Sequence, residues 1–168
     1  MLKIRPFDCV VIHDVDLVPL DERILYSCPT FPRHMSTKIR DEDLRAINKT
    51  KLDPLFGGVV SMTVEQFKRA NGYSNMYFGW GAEDNDMFYR LHGSGYPIVK
   101  YNTSVAVYAM LPHKRQRENN ERFTLLGNGL KRYKTDGLSN IKYDLLSIVK
   151  LHLYTRIYVD IILTDKED

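Results

Sequence analysis

Two aspartates, Asp14 and Asp16, flank Val15 just after the apolar run Phe7 to Ile12. Carboxylates spaced i and i+2 at a strand end point the same way and can hold a divalent cation, or meet the cation and a nucleotide sugar together. Hard oxygen ligands suit Mn²⁺ or Mg²⁺, ions that commonly carry phosphate oxygens as their remaining ligands. Met110 and His113 form a second set, a thioether and an imidazole three residues apart at another strand end. They suit an ion softer than Mg²⁺, which favours Mn²⁺. The third set is GWGAEDND, Gly79 to Asp86. Trp80 lies between two glycines whose backbones are free to swing, and an exposed indole face stacks on sugar rings. Glu83, Asp84 and Asp86 crowd the first turn of a helix, where the macrodipole should keep a general base ionised at neutral pH. Each set also has a plainer reading: an acidic turn, a core methionine beside a surface histidine, and a helix start stabilised by acids.

Other chemistries find no carrier. There is no G-x-G-x-x-G, no P-loop and no C-x-x-C, and no Ser, His and Asp arrangement suggests a hydrolase triad. A metal-dependent phosphohydrolase would need a second metal cluster that the sequence lacks. Lys114-Arg115-Gln116-Arg117 is basic, but Glu118 and Glu121 interrupt it, so it reads as a solvated loop and not as a nucleic-acid patch. His13, His34, His92 and His152 lack ligand spacing and read as structural or surface histidines.

These side chains need elements to hold them. Phe7 to Ile12 reads as a buried strand delivering Asp14 and Asp16 at its end. A polar, proline-containing stretch, Pro29 to Pro54, reads mostly as loop with a short helix around Asp43 to Ile47. Gly57 to Met62 reads as a strand running into Thr63, which with Gln66 makes a capping box for a helix ending at Asn71-Gly72. The acidic helix start leads into Met87, Phe88 and Leu91 at helical spacing. Strands are expected at Ile98 to Tyr101 and Val105 to Met110, then a helix to about Tyr133. A turn at Asp136-Gly137 and strands at Ile141 to Val149 and Tyr154 to Ile162 close the pattern. Strands alternating with helices predict an α/β or mixed sheet.

The 168 residues fit one domain or part of a larger one, and 43% hydrophobic content with eleven Tyr and seven Phe excludes disorder. A formal net charge of +3 gives no argument for nucleic acid. The most apolar stretch, Leu145 to Leu163, is broken by Lys150, His152, Arg156 and Asp160, so no segment reads as a membrane span. The start lacks a signal peptide's apolar core and cleavage site.

Taken in order and at these spacings, the sets resemble the β-1,4-galactosyltransferase family, the inverting glycosyltransferases of family 7. The resemblance rests on HDVDLVP (His13 to Pro19), PRHMS (Pro32 to Ser36), FGGVVSM (Phe56 to Met62) and NGYSNMYFGWGAEDND (Asn71 to Asp86). MLPH (Met110 to His113), ERF (Glu121 to Phe123), DGLSNIKY and LYTRIYVDI continue it to near the end. It implies an α/β fold of the GT-A nucleotide-sugar-binding type, with this chain as the C-terminal part of the catalytic domain and the N-terminal strands of the donor half, the stem and a membrane anchor ahead of it. It implies Mn²⁺ held by Asp16, Met110 and His113, and donor contacts from Asp14 and Trp80. Asp84 matches the family's catalytic base, Glu83 and Asp84 match its acceptor-site acids, and Asn85 stands at a further acceptor-contacting position. Arg122, Phe123 and Leu126 match the pocket for an acceptor's N-acetyl group. Cys9 and Cys28 match a disulfide, which with the sequons at Asn48 and Asn102 implies an oxidising lumen, that of the Golgi, and a type II membrane protein.

Three differences from the family pattern are visible: Ala82 for a glycine, Asn85 for an aspartate, and the absent front half. Leu55, before Phe56-Gly57-Gly58, stands where the galactose-transferring branch has a tyrosine. A leucine leaves room for an acetamide and resembles the invertebrate N-acetylgalactosaminyltransferase branch, so UDP-GalNAc is expected ahead of UDP-Gal. The expected reaction is inverting, Mn²⁺-dependent transfer to the 4-OH of a terminal GlcNAc, with 111–132 as a lid that closes over bound donor. The rival is a non-catalytic carbohydrate-binding remnant of such an enzyme.

Overall fold

The computed structural model describes residues 6–40, 56–114 and 116–161. Val10, Val11 and Ile12 favour extended backbone, and they lie in β1 (Cys9–His13). It pairs antiparallel with β5 (Val59–Thr63) from Cys9↔Thr63 to His13↔Val59. The strand β5 is buried from Val59 to Met62 and sits inside a four-stranded sheet of order β1-β5-β3-β6, with β3 at Arg33–His34 and β6 at Val99–Lys100. A second sheet has β7 (Val107–Met110) between β2 (Leu17–Pro19) and β4 (Lys38–Arg40). Two of these strands, β3 and β4, lie in the stretch expected to be mostly loop. The helix expected around 43–47 lies outside the described residues.

The period of two along β5 divides the core. Val60 and Met62 join Phe56, Ala70, Met87 and Leu91 in one cluster, while Val59 joins Leu17, Ile24, Met35 and Tyr108 in another. Thr63 ends the strand and caps α1 (Val64–Arg69) with the expected reciprocal bonds, Gln66 N to Thr63 Oγ1 at 3.1 Å and Thr63 N to Gln66 Oε1 at 2.9 Å. The acidic segment opens α2 (Glu83–Gly93), which buries Met87 and Leu91 against the sheet.

The helix expected to run to Tyr133 is two short helices, α3 (Arg122–Gly127) and α4 (Gly129–Arg132), divided at Asn128. Glycine and asparagine are poor helix formers. The break has a packing reason too, because a side chain at Gly129 would overlap the Asp86 carboxylate. The chain closes with a hairpin, β8 (Tyr143–Lys150) and β9 (Thr155–Ile161), bulged between Leu145 and Ser147. Tyr143, Leu145, Ile148 and Ile161 are exposed on it. Among the described residues no helix is long and apolar enough to cross a membrane.

Candidate active site

Asp14-Val15-Asp16 lies in the turn between β1 and β2, closed by Leu17 N donating to Asp14 O at 3.2 Å. Strand alternation therefore does not set the two carboxylates, which corrects the reading of them as parallel side chains on a strand end. The turn ties the backbone of each aspartate to a different segment, although the Asp14 carboxyl still feels the charges of Asp16 and His113. Asp14 N donates to Gly58 O at 2.9 Å. Asp16 receives the segment after β7: Leu111 N donates to Asp16 O at 2.7 Å, and His113 Nε2 stands 3.4 Å from Asp16 Oδ2. The β2–β7 register pairs Leu17 with Met110, so Met110 is carried alongside the same turn.

Among the described residues no group of three or more His, Cys, Asp and Glu is gathered as an ion cage. The third donor on offer is the Met110 thioether. An oxygen, a nitrogen and a sulfur donor suit an ion softer than Mg²⁺, which Mn²⁺ is.

On the other side of Gly57-Gly58, Asp84 packs its carboxyl onto the Gly57 α carbon, where any added β carbon would overlap Oδ2. Burial, followed by the charges of Glu83 and Asp14, pushes Asp84 up from 3.8 to about 8. Burial, followed by Asp16 and Glu83, also raises Asp14. These shifts correct the expectation that the helix dipole keeps Asp84 ionised at neutral pH: lost water and two neighbouring acids outweigh the dipole. Tyr73 lies near the same acids, its hydroxyl raised first by burial and then by Asp84, Glu83 and Asp14.

Trp80 is 40% exposed, between Gly79 at φ 88° and Gly81 at φ 115°. Its backbone is paired with the stretch expected to be a lid: Trp80 N donates to Arg117 O at 2.9 Å and Asn119 N to Trp80 O at 3.0 Å. Beside this bridge lies an open depression of about 350 Å³ lined by Phe78, Gly79, Arg117, Glu118, Asn119 and Asn120. Arg122 reaches under Gly81, donates to Asn119 O at 2.9 Å, pairs with Glu118 at 2.6 Å and lies 4.7 Å from the Phe123 ring centre. Phe123 is exposed and Leu126 half-buried, while Asn85, expected at the acceptor, is 3% exposed. Ala82 adopts φ 72° before α2, the left-handed conformation that its glycine counterpart would take without strain.

One group escaped the sequence reading. Arg90, wholly buried, donates to Asp86 Oδ2 at 2.5 Å, to Asp136 Oδ2 at 2.9 Å and O at 2.5 Å, and to Gly72 O at 3.2 Å. Arg132 adds bonds to Asp136 Oδ2 at 3.0 Å and Leu125 O at 2.5 Å. The i, i+4 spacing of Asp86 and Arg90 was the available signal. It reads as a surface pair until burial is known.

Cys9 and Cys28 form a disulfide with Cα atoms 5.5 Å apart. Asn102 is exposed, its Oδ1 accepting from Ser104 N at 2.9 Å and Ser104 Oγ at 2.8 Å. Leu55 and Asn48 lie outside the described residues.

The sequence matches two family descriptions in succession, "N-terminal region of glycosyl transferase group 7" over residues 1–29 and "N-terminal domain of galactosyltransferase" over residues 33–114. The chain belongs to the galactosyltransferase family, glycosyltransferase family 7. This galactosyltransferase-family chain is 37% identical over 158 residues to β-1,4-galactosyltransferase 2 of Homo sapiens, covering 92% of itself and 41% of that protein. It is 39% identical over 162 residues to β-1,4-galactosyltransferase 4 of Cricetulus griseus, covering 95% of itself and 46% of that protein. The chain thus spans less than half the length of these relatives. In structure it resembles a Drosophila β-1,4-galactosyltransferase 7 mutant crystallised with manganese, UDP-Gal and xylobiose, with a TM-score of 0.73 at 26% identity, covering 94% of this chain and 68% of that one. The catalytic domain of the Drosophila enzyme in complex with xylobiose gives a TM-score of 0.71 at 25% identity, over the same shares. The galactosyltransferase-family fold is therefore of the GT-A type, as expected.

Proposed function

We propose that the chain is the C-terminal part of the catalytic domain of an inverting sugar transferase that moves N-acetylgalactosamine, in preference to galactose, from its UDP-sugar to the 4-OH of a terminal GlcNAc. The observation that carries the proposal is the convergence on Gly57-Gly58. Asp84 packs on Gly57, Asp14 donates its N–H to Gly58 O, and the same turn holds Asp16 3.4 Å from His113. A general base and a diphosphate-side cation site gathered near one glycine pair suit a single displacement between two sugars. The resemblance to a Drosophila enzyme crystallised with manganese, UDP-Gal and xylobiose supports a metal, a UDP-sugar donor and a sugar acceptor. The GalNAc preference rests on Leu55 alone.

In this reading Asp84 takes the proton from the acceptor hydroxyl as that oxygen attacks the anomeric carbon. The bond to the UDP oxygen breaks on the opposite face, so the configuration inverts. Asp14 holds the donor sugar nucleotide, Glu83 an acceptor hydroxyl, and Trp80 covers the sugar face. Arg122, Phe123 and Leu126 receive the acceptor's acetamide. Asp16, Met110 and His113 would hold Mn²⁺, which supplies charge to offset the departing diphosphate. The lumen of the Golgi, reached by a type II membrane protein, suits the Cys9–Cys28 disulfide.

Competition between UDP-GalNAc and UDP-Gal, with Mn²⁺ and with GlcNAc-terminated and xyloside acceptors, tests the reading. GalNAc transfer to GlcNAc should lead, and Leu55→Tyr should turn the donor ratio toward galactose. A parent that prefers UDP-Gal, with a ratio unmoved by Leu55→Tyr, removes the donor assignment. Binding of the acceptor without any transfer favours the carbohydrate-binding remnant.

A further inference from the structure

The glycine pair between the two carboxylates is itself gripped from behind. Gly57 O accepts two hydrogen bonds from buried side chains, Ser36 Oγ at 2.9 Å and His34 Nε2 at 3.0 Å. Two donors fill both lone pairs of that carbonyl, so the peptide it belongs to can neither rotate nor slide without breaking them. Ser36 Oγ also accepts Val59 N–H at 2.9 Å, which ties the grip to the start of β5. A side chain at Gly58 would strike Ser36 Oγ at 2.6 Å and Leu17 Cδ1 at 2.8 Å, so the backbone is wedged closely between this pair and Asp84.

His34 is an odd choice for a purely structural slot. A carbonyl can only accept, so Nε2 carries the hydrogen and Nδ1 is bare. That Nδ1 is buried with no hydrogen-bond partner, and the whole side chain is 4% exposed. Burial holds the imidazole neutral by lowering it from 6.5 to about 4. An unpartnered buried nitrogen costs stability that an apolar side chain would not, and what the fold gains is one N–H fixed on Gly57 O.

We propose that His34 and Ser36 are positioning residues that lock the Gly57 peptide as a rigid, water-excluding wall for the Asp84 carboxyl. The inference rests on reading Asp84 as the base, but the wall is a matter of geometry. The carboxyl meets bare backbone at Gly57, and the other charged or titratable groups facing it are Glu83, Asp14 and the Tyr73 hydroxyl. Loosening Gly57 admits water to the carboxyl. Asp84 then titrates lower and loses its fixed aim toward the acceptor oxygen.

The test compares Ser36→Ala and His34→Leu with the donor-keeping His34→Gln in the full chain. Two readouts are taken: the ¹³C titration of the Asp84 carboxyl without metal or donor, and the rate of transfer. The Asp84 midpoint should drop by about one pH unit or more in Ser36→Ala and His34→Leu and return most of the way in His34→Gln, the response expected when desolvation is relieved. Turnover should fall about tenfold with the donor KM unchanged, as when a transition-state group loses its orientation. An Asp84 titration that stays in place in both variants overturns the proposal, even if their melting temperatures fall. Should His34→Leu fail to fold, Ser36→Ala decides alone. If the titration moves as expected but the parent transfers no sugar, the wall stands and the catalytic reading of Asp84 falls.

Discussion

His113 Nε2 faces Asp16 Oδ2 at 3.4 Å across the gap between the β1–β2 turn and the end of β7. The contact joins residues far apart in sequence, and it depends on β2 and β7 pairing in the register that sets Leu17 opposite Met110. An imidazole and a carboxylate poised this way, with both partly exposed, can turn onto one ion as neighbouring ligands. His113→Ala should raise the Mn²⁺ concentration for half-maximal binding by at least about tenfold, the loss seen even for partners one step outside a metal. Mn²⁺ titration followed by electron paramagnetic resonance reads this directly. Unchanged Mn²⁺ affinity would remove His113 from the site.

Acid dependence follows from Asp84, whose value of about 8 stands above its ordinary 3.8. The proposed base works when ionised, so kcat/KM for the proposed transfer should climb with pH toward about 8 and then level. Stability runs the other way. A carboxyl raised on folding contributes stability that is fully present below pH 4 and is lost as pH rises through about 8. Asp84→Asn should flatten both trends and lower turnover by about a hundredfold or more. Parallel pH–rate and pH–melting curves for the two proteins check it.

Arg90→Met keeps volume but strips the charge partner of Asp86 and Asp136, both nearly sealed from solvent. Breaking a buried pair from one side costs about 3–5 kcal/mol, so urea denaturation should show a loss of that order. A loss near zero would mean that water reaches the pair.

The Cys9–Cys28 bridge closes a loop spanning 19 residues along the chain. Chain entropy assigns such a loop about 3 kcal/mol. Cys9→Ser should therefore lower the denaturation midpoint, and a reductant should do to the parent what the substitution does. Free thiols counted in the denatured, unreduced parent would show that Cys9 and Cys28 were never joined.

Much of this was legible because local chemistry and tertiary structure agree. Thr63 and Gln66 cap α1 as their spacing says they should, and the alternation along β5 sorts Val59 and Val60 into separate cores. The Asp84 ionisation was misread because the dipole of a helix start is a local property, whereas Gly57 and Asp14 reach Asp84 only through the sheet. Arg90 was missed for a related reason: in sequence it is one more arginine on a helix, and only the arrival of Asp136 makes it a hub. Likewise β3 and β4 are too short to carry a period, and their partners, β5 and β7, lie well downstream.

The Arg90 hub also sets an order of events during synthesis. A ribosome extends the chain from its N-terminus, and domains complete themselves as their parts emerge. The acids of α2 are made early, but the guanidinium that braces Asp86 finds its other carboxylate only when Asp136 follows 46 residues behind Arg90. Until then Arg90 has one carboxylate where it needs two, and α2 lacks the brace that fixes its acidic end. A nascent chain stalled before Asp136 should hold these acids in a loose, protease-sensitive helix, and one released just beyond it should not.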